Sequence, residues 1–389
     1  MNPKASSTSI LIVMAVSAFS IGTAEFVMAG VLPDIAQSLL VSIPQAGLLM
    51  TGYALSVLIS APILTAFAIG YPRKIVLIGL MGFFVVGNLI SALAPSYHVL
   101  MTGRVISALC HGAFFGIGAV AVADAVTPDK KAKAIALMFS GLTVANVLGV
   151  PIGTMLGQTF GWRSMFYVIA ASGMTSMSGI MLLFPYQKIT EKPKLKSELL
   201  TFKIPQVWLS LFITAFGFGG LFASFAYITP LMTQVTGFTE SNMPWILFLF
   251  GIGLVIGNII GGKFGDNSLD KSLYVLFISL AVSLIGLVFT SHNQVLSVLT
   301  LFLIGVLGFA IVSPVQTQVM KYAKSAPTIA SAANISAFNI GIAAGTYFGG
   351  LSIHFGFGYT SASWVGGMMV TVGLILQLIT VNLKNPLSF

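Results

Sequence analysis

The chain is predicted to be an all-α integral membrane protein, with twelve transmembrane helices in two pseudo-symmetric six-helix bundles. Three observations lead there. Of 389 residues, 57% are hydrophobic and 7% charged, with a mean hydropathy of +0.99; an ordinary soluble domain carries about 25% charged residues. Apolar runs of about 20 residues recur along the whole length. One long polar segment, QKITEKPKLKSELLTFKIPQ (187–206), interrupts them in the middle. A water-soluble globule of this size needs more polar surface than this composition supplies, so lipid must solvate the chain.

The elements follow in order. Span 1, at 8–32, comes after Lys4 and invites comparison with a secretory signal peptide. It outlasts the usual apolar core of about 7–15 residues, and Glu25 and Pro33 stand where a small-residue cleavage site is needed. It is therefore read as an uncleaved first helix. Spans 2 to 6 are placed at 45–69, 74–94, 99–125, 134–158 and 164–184. Spans 7 to 12 are placed at 206–232, 243–262, 272–290, 295–319, 327–352 and 361–382. The chain thus divides into a bundle at 1–186, a cytoplasmic linker at 187–205 and a second bundle at 206–389.

Basic residues orient the spans. Lys4, Arg73, Lys74, Lys130, Lys131, Lys133, the linker lysines, Lys263, Lys271, Lys321, Lys324 and Lys384 all fall on one side, sixteen of the eighteen Lys and Arg. Positive residues favour the cytoplasm, so both termini are expected there. Topology accounts for the net charge of +9 without a nucleic-acid partner. The lone Cys110 lies in an apolar run and provides no disulfide framework.

The two halves repeat weakly. Pro33 near the end of span 1 corresponds to Pro230 near the end of span 7, and Gly149, Gly153 and Gly157 correspond to Gly341, Gly345 and Gly349. TFGW (159–162) corresponds to HFGF (354–357). Such symmetry marks duplicated transporter folds, whose substrate site lies between the halves near the midplane.

Ionisable groups inside apolar runs carry the chemistry, because a charge at the bilayer centre costs about 2.5–3.5 kcal/mol on insertion scales. Glu25 lies roughly 10 Å and Arg104 roughly 8 Å below the outer surface at 1.5 Å per residue, so they meet if spans 1 and 4 are neighbours. His111 follows Arg104 by nearly two turns of one helix. Burial favours the neutral acid and a neighbouring guanidinium favours the carboxylate, so opening or closing a cavity shifts the balance. Glu25 is the expected protonation site, with Arg104 and His111 beside it; a static ion pair fits the same pattern. Asp34 is either a further proton-coupling carboxylate or a capping group at the rim. Asp124, at the inner end of span 4, is either a cytoplasmic latch or a helix-end charge.

A small-molecule site is expected to be largely apolar with a few placed polar groups. Span 7 offers Phe218, Leu221, Phe222 and Phe225 on one face, then Tyr227. Tyr53, Phe114, Phe115, Asn146, Asn334, Phe338 and Asn339 are the other candidates. Helix packing alone would also produce such stripes. In span 5, Gly141, Gly149, Gly153 and Gly157 allow close helix approach, and Pro151 permits a kink.

AEFVMAGVLPDIA (24–36), GRVISALCHGAFFGIGA (103–119) and TVANVLGVPIGT (143–154) resemble the major facilitator superfamily, and within it the drug:proton antiporter-1 group of arabinose-efflux-permease-like proteins. The resemblance covers all twelve spans. It implies that Arg104 is the span 4 arginine of proton-coupled members, and that Gly149, Pro151 and Gly153 are an altered antiporter motif. It also implies gating loops. After span 2, Ala66 and Gly70 replace the family's Gly and Asp while Arg73 and Lys74 remain; after span 8, Gly262 and Asp266 match.

The expected activity is export of a drug, sugar or nucleoside in exchange for protons, by a monomer in the cell membrane driven by the proton gradient without a cofactor. An importer of a small solute is the rival. A membrane enzyme is disfavoured, because His98, His111, His292 and His354 are scattered and no metal-ligand pair occurs. No phosphate-binding loop for ATP appears either.

Overall fold

The computed structural model describes residues 7–68, 71–127, 130–186, 199–323 and 327–383. Eleven helical segments among them are long and apolar enough to cross a membrane. The helix Pro327–His354, 28 residues long, supplies the remaining span; its asparagines and serines make it less apolar. Of the linker, 187–198 lies outside the described residues, and Leu199–Lys203 forms a short 3₁₀ turn.

Several spans are not single helices. Span 1 is Ser7–Phe26 and Met28–Ser38, span 7 is Pro205–Phe225 and Ile228–Gln234, and span 10 is Gln294–Ala310 and Val312–Tyr322. Span 5 runs as Lys131–Val144, a π-turn at Ala145–Gly149, and Val150–Phe160. Proline is the common cause. It gives no N–H to the carbonyl four residues earlier and its ring clashes with that carbonyl. For Pro151, Pro230 and Pro314 that earlier residue is Val147, Ala226 and Ala310, each at its break. Pro33 acts near Val31, whose φ of −116° and ψ of 15° leave the helical range.

Span 4 corrects the sequence reading. One continuous helix is expected, but the structure divides it into Tyr97–Ala108 and His111–Asp124. No proline accounts for this break, so no local signal announces it.

The chain forms two compact units, Met1–Lys192 with Glu240–Phe248, and Pro193–Thr239 with Leu249–Phe389. In the first, span 1 packs on spans 5 and 6, and span 3 packs on spans 4 and 6. In the second, span 7 packs on spans 11 and 12. Each unit therefore packs its first span against its fifth. Glycine makes this possible: a Cβ at Gly141 would strike the Ala15 carbonyl of span 1, and one at Gly345 the Gly219 carbonyl of span 7. The loops after these spans also match, with Gly161 at φ 82° and Gly356 at φ 85°, a left-handed conformation suited to glycine.

Candidate functional site

The break after Phe26 prepares the first unit's polar centre. The last carbonyls of a helix lack partners within it, and Arg104 uses one of them. Its Nη1 donates to the Ala24 carbonyl at 2.6 Å, beside Glu25. The guanidinium lies 4.2 Å over the Tyr53 ring, a cation–π contact without access to water. The Tyr53 hydroxyl is 3.3 Å from His111 Nδ1, and that nitrogen is 3.9 Å from Glu25 Oε2. Phe115 stacks on Phe139 and packs on His111, with ring centroids 5.2 Å apart in both pairs.

Three residues singled out as ionisable in hydrocarbon thus come together, though differently from the expected direct pair. Arg104 bonds a backbone carbonyl and an aromatic face, and the charged or chargeable side chain nearest Glu25 is the His111 imidazole, 3.9 Å away. Tyr53, expected as a substrate contact, bridges Arg104 to His111. Nε and Nη2 of Arg104 are buried without a hydrogen-bond partner among the described residues. Glu25 itself is 6% exposed.

Span 5 packs behind this cluster. A Cβ at Gly149 would strike the Thr23 side chain and one at Gly153 that of Val27, the residues flanking Glu25's turn. Pro151 sits just past the π-turn between them, and Asn146 within that turn donates to its own helix's Leu142 carbonyl at 3.1 Å. Phe114 is fully buried in this packing.

Asp34 is half-buried at one rim of the first unit, on the helix Met28–Ser38 beyond the apolar run that ends at Leu32. Burial and the nearby Glu240 carboxylate push its carboxyl up to about 6, against a backbone hydrogen bond that favours the anion. At the opposite end of the spans, Asp124 accepts from Arg73 and lies 3.6 Å from Lys131 Nζ, joining the starts of spans 3 and 5 to the end of span 4. Lys74 is partly exposed, and a Cβ at Gly262 would meet nothing within 4 Å among the described residues. The Asp266 side chain lies outside the described residues.

The second unit concentrates aromatic rings instead. Phe218 touches Phe222, Phe309 and Phe338, with centroids 5.0, 5.8 and 4.7 Å away. Phe225 packs on Phe222 and stacks on Phe250 at 5.0 Å. Tyr227 is committed to packing: it is buried and donates to the Thr346 carbonyl at 2.9 Å. Asn334 donates to Gln316 at 2.7 Å, linking spans 10 and 11, and Asn339 donates to its own helix at Ile335. Phe250 and Phe309 escape the sequence reading because nothing distinguishes them within apolar runs. The pair Asp270–Lys321, at 3.8 Å, also escapes it, since 50 residues of chain separate its partners.

The geometry is that of a duplicated helical membrane protein with a buried ionisable centre in one unit. Residues 14–346 match the family described as Major Facilitator Superfamily. The chain belongs to that superfamily. It is 39% identical to the inner membrane transport protein YdhP of Escherichia coli strain K12 over 376 residues, 97% of this chain and 96% of that protein. It is 32% identical to a chloramphenicol resistance protein of Streptomyces lividans, covering 94% of each. Among solved structures, a bacterial homologue of the human lysosomal transporter Spinster, in an inward-facing and unoccupied conformation, matches at a TM-score of 0.72. That match spans 98% of this chain and 96% of the other at 16% identity, a likeness of fold. This superfamily member is a multi-pass transporter of the cell membrane, not an enzyme.

Proposed function

We propose that this transporter exports a small, largely apolar organic molecule in exchange for protons, with Glu25 carrying the proton. One observation carries the reading. A carboxylate is buried in the first span, 3.9 Å from an imidazole, while the neighbouring guanidinium is held by a carbonyl and a ring. The Arg104 charge is thus fixed, and Glu25 and His111 are free to exchange protons as access changes sides. Intramembrane ionisable residues commonly serve such relays. Asp34 stands at the outer rim as a further proton-exchanging group. The Phe218–Phe222–Phe338 cluster, with Phe338 its partly exposed ring, supplies apolar contacts for the substrate. The chloramphenicol resistance protein among the relatives supports an organic drug-like molecule as cargo. The distribution of lysines favours both termini in the cytoplasm.

The test is transport in proteoliposomes with an imposed pH gradient, using a panel of drugs, sugars and nucleosides. Uptake driven by the gradient should fall at least tenfold in Glu25→Gln, while exchange of substrate for substrate persists. Full gradient-driven transport by that variant would falsify the assignment. Direction is read separately, in cells: expression should lower substrate accumulation relative to a vector control, whereas an importer would raise it.

A further inference from the structure

The outer part of span 5 and the start of span 8 enclose a groove of about 570 Å³ within the first unit. Its walls include Leu148, Ile152, Met155 and Trp245, whose exposures run from 44% for Leu148 to 70% for Trp245. In a transmembrane segment such exposed apolar groups face lipid, so the groove opens sideways into the bilayer. Its outer end is polar. Gln158 donates to the Glu240 backbone carbonyl at 3.0 Å, and the Glu240 side chain is exposed there. Gln158 also lines a neighbouring recess of about 400 Å³ that contains Asp34 and Arg163. Two carboxylates therefore stand at this end against one guanidinium. That guanidinium is occupied: Arg163 donates to the Ala94 carbonyl at 2.6 Å and lies 4.1 Å over the Trp162 ring.

We propose that this groove is a lateral binding site for an amphipathic cation, its apolar body against Ile152, Met155 and Trp245 and its positive group at Glu240. The volume suits a small organic molecule. Trp245 offers an aromatic face that attracts cations as well as an apolar wall. A neutral acyl chain would fill the same walls without using either carboxylate, and an organic anion would be repelled by both. The site is separate from Glu25 and from the Arg104–His111 cluster around it. Asp34 and Glu240 face one another's charge, with Arg163 the other charged group lining the recess. Since Asp34 titrates at about 6, its charge is present above that pH, and cation binding should tighten as the pH rises through 6.

The experiment is equilibrium binding of radiolabelled tetraphenylphosphonium to the purified full-length protein in detergent at pH 7.5. Saturable binding is expected, weakened at least fivefold by Glu240→Gln and by Ile152→Trp, which fills the groove. It should weaken severalfold at pH 5. Trp245→Leu, at an exposed position, provides a second variant if Ile152→Trp yields no folded protein. Glu25→Gln should bind normally, so failure of the groove and failure of the coupling assignment are distinguishable. Absence of saturable binding overturns the proposal, as does binding indifferent to Glu240→Gln and the groove variants. Equal competition by tetraphenylborate would also overturn it, by marking an apolar, lipid-like site.

Discussion

The same offset that brings Pro33 onto Pro230 brings Glu25 onto Phe222. In the first unit this place in the first span faces an imidazole, with a guanidinium one residue away; in the second it joins a cluster of phenylalanines. The surrounding framework is alike. Both first spans break near a proline and both pack against a glycine-lined fifth span. Duplication thus preserved the packing while the chemistry diverged, with titratable groups in one unit and packed, polarizable rings in the other. Under the proposed exchange, such a division would let proton affinity and substrate affinity be set by different side chains.

The shared framework gives the largest expected effect. Gly141→Val and Gly345→Val each push a branched side chain into a facing backbone carbonyl, which cannot move aside as a side chain can. Overpacking typically costs about 1–3 kcal/mol and more against rigid backbone. Both variants should lose most of the monodisperse protein on size exclusion after detergent extraction. Normal recovery of one variant but not the other would break the equivalence of the two interfaces.

The divergent chemistry is tested at the paired position. Phe222→Leu, in contrast to Glu25→Gln, should leave the dependence of transport on the pH gradient unchanged and raise the substrate KM severalfold. A loss of coupling in Phe222→Leu, or an altered KM alone in Glu25→Gln, would show that the two units do not divide the work.

A smaller effect belongs to the span ends that carry ion pairs. The first unit joins a cation at the start of span 3, Arg73, to an anion at the end of span 4, Asp124. The second places the anion, Asp270, at the start of span 9 and the cation, Lys321, at the end of span 10. The pairing recurs with its signs reversed. Exposed pairs contribute about 0–1 kcal/mol, so Asp270→Lys alone should slow transport by a few-fold, and adding Lys321→Asp should restore it. The same exchange at Arg73 and Asp124 should restore less, because Lys131, at 3.6 Å, would then face a cation. Equal rescue in both units would remove any distinct role for Lys131.

Much of this was legible in the sequence because bilayers penalise exceptions. Glu25, Arg104 and His111 stand out as ionisable residues among apolar neighbours, and the glycine spacing of span 5 shows where a helix approaches closely. Residues that act through long-range contact leave no such mark. Tyr53 reads as a candidate substrate contact until the fold sets it between Arg104 and His111, and Phe250 and Phe309 are uniform with their surroundings. The span 4 break has no proline, and the Glu240–Trp245 stretch acquires meaning only against span 5.

The smallest effect concerns Asp34, whose counterpart by the same offset is the uncharged Leu231. Its carboxyl titrates at about 6 when folded against an ordinary value of 3.8, so the folded protein binds its proton more tightly than the unfolded chain does. By linkage, stability from this group is fully present below about pH 4 and is lost as the pH rises through 6. Asp34→Asn should therefore match the parent protein at acid pH and melt above it at pH 7.5. The rim is half exposed, and screening holds the gain to less than about 1 kcal/mol. Thermal unfolding across this pH range measures the difference, and a gap that widened toward acid would mean that Asp34 is held as a paired anion. The second unit's Leu231→Ala should show no such pH dependence, because that position carries no proton in either state.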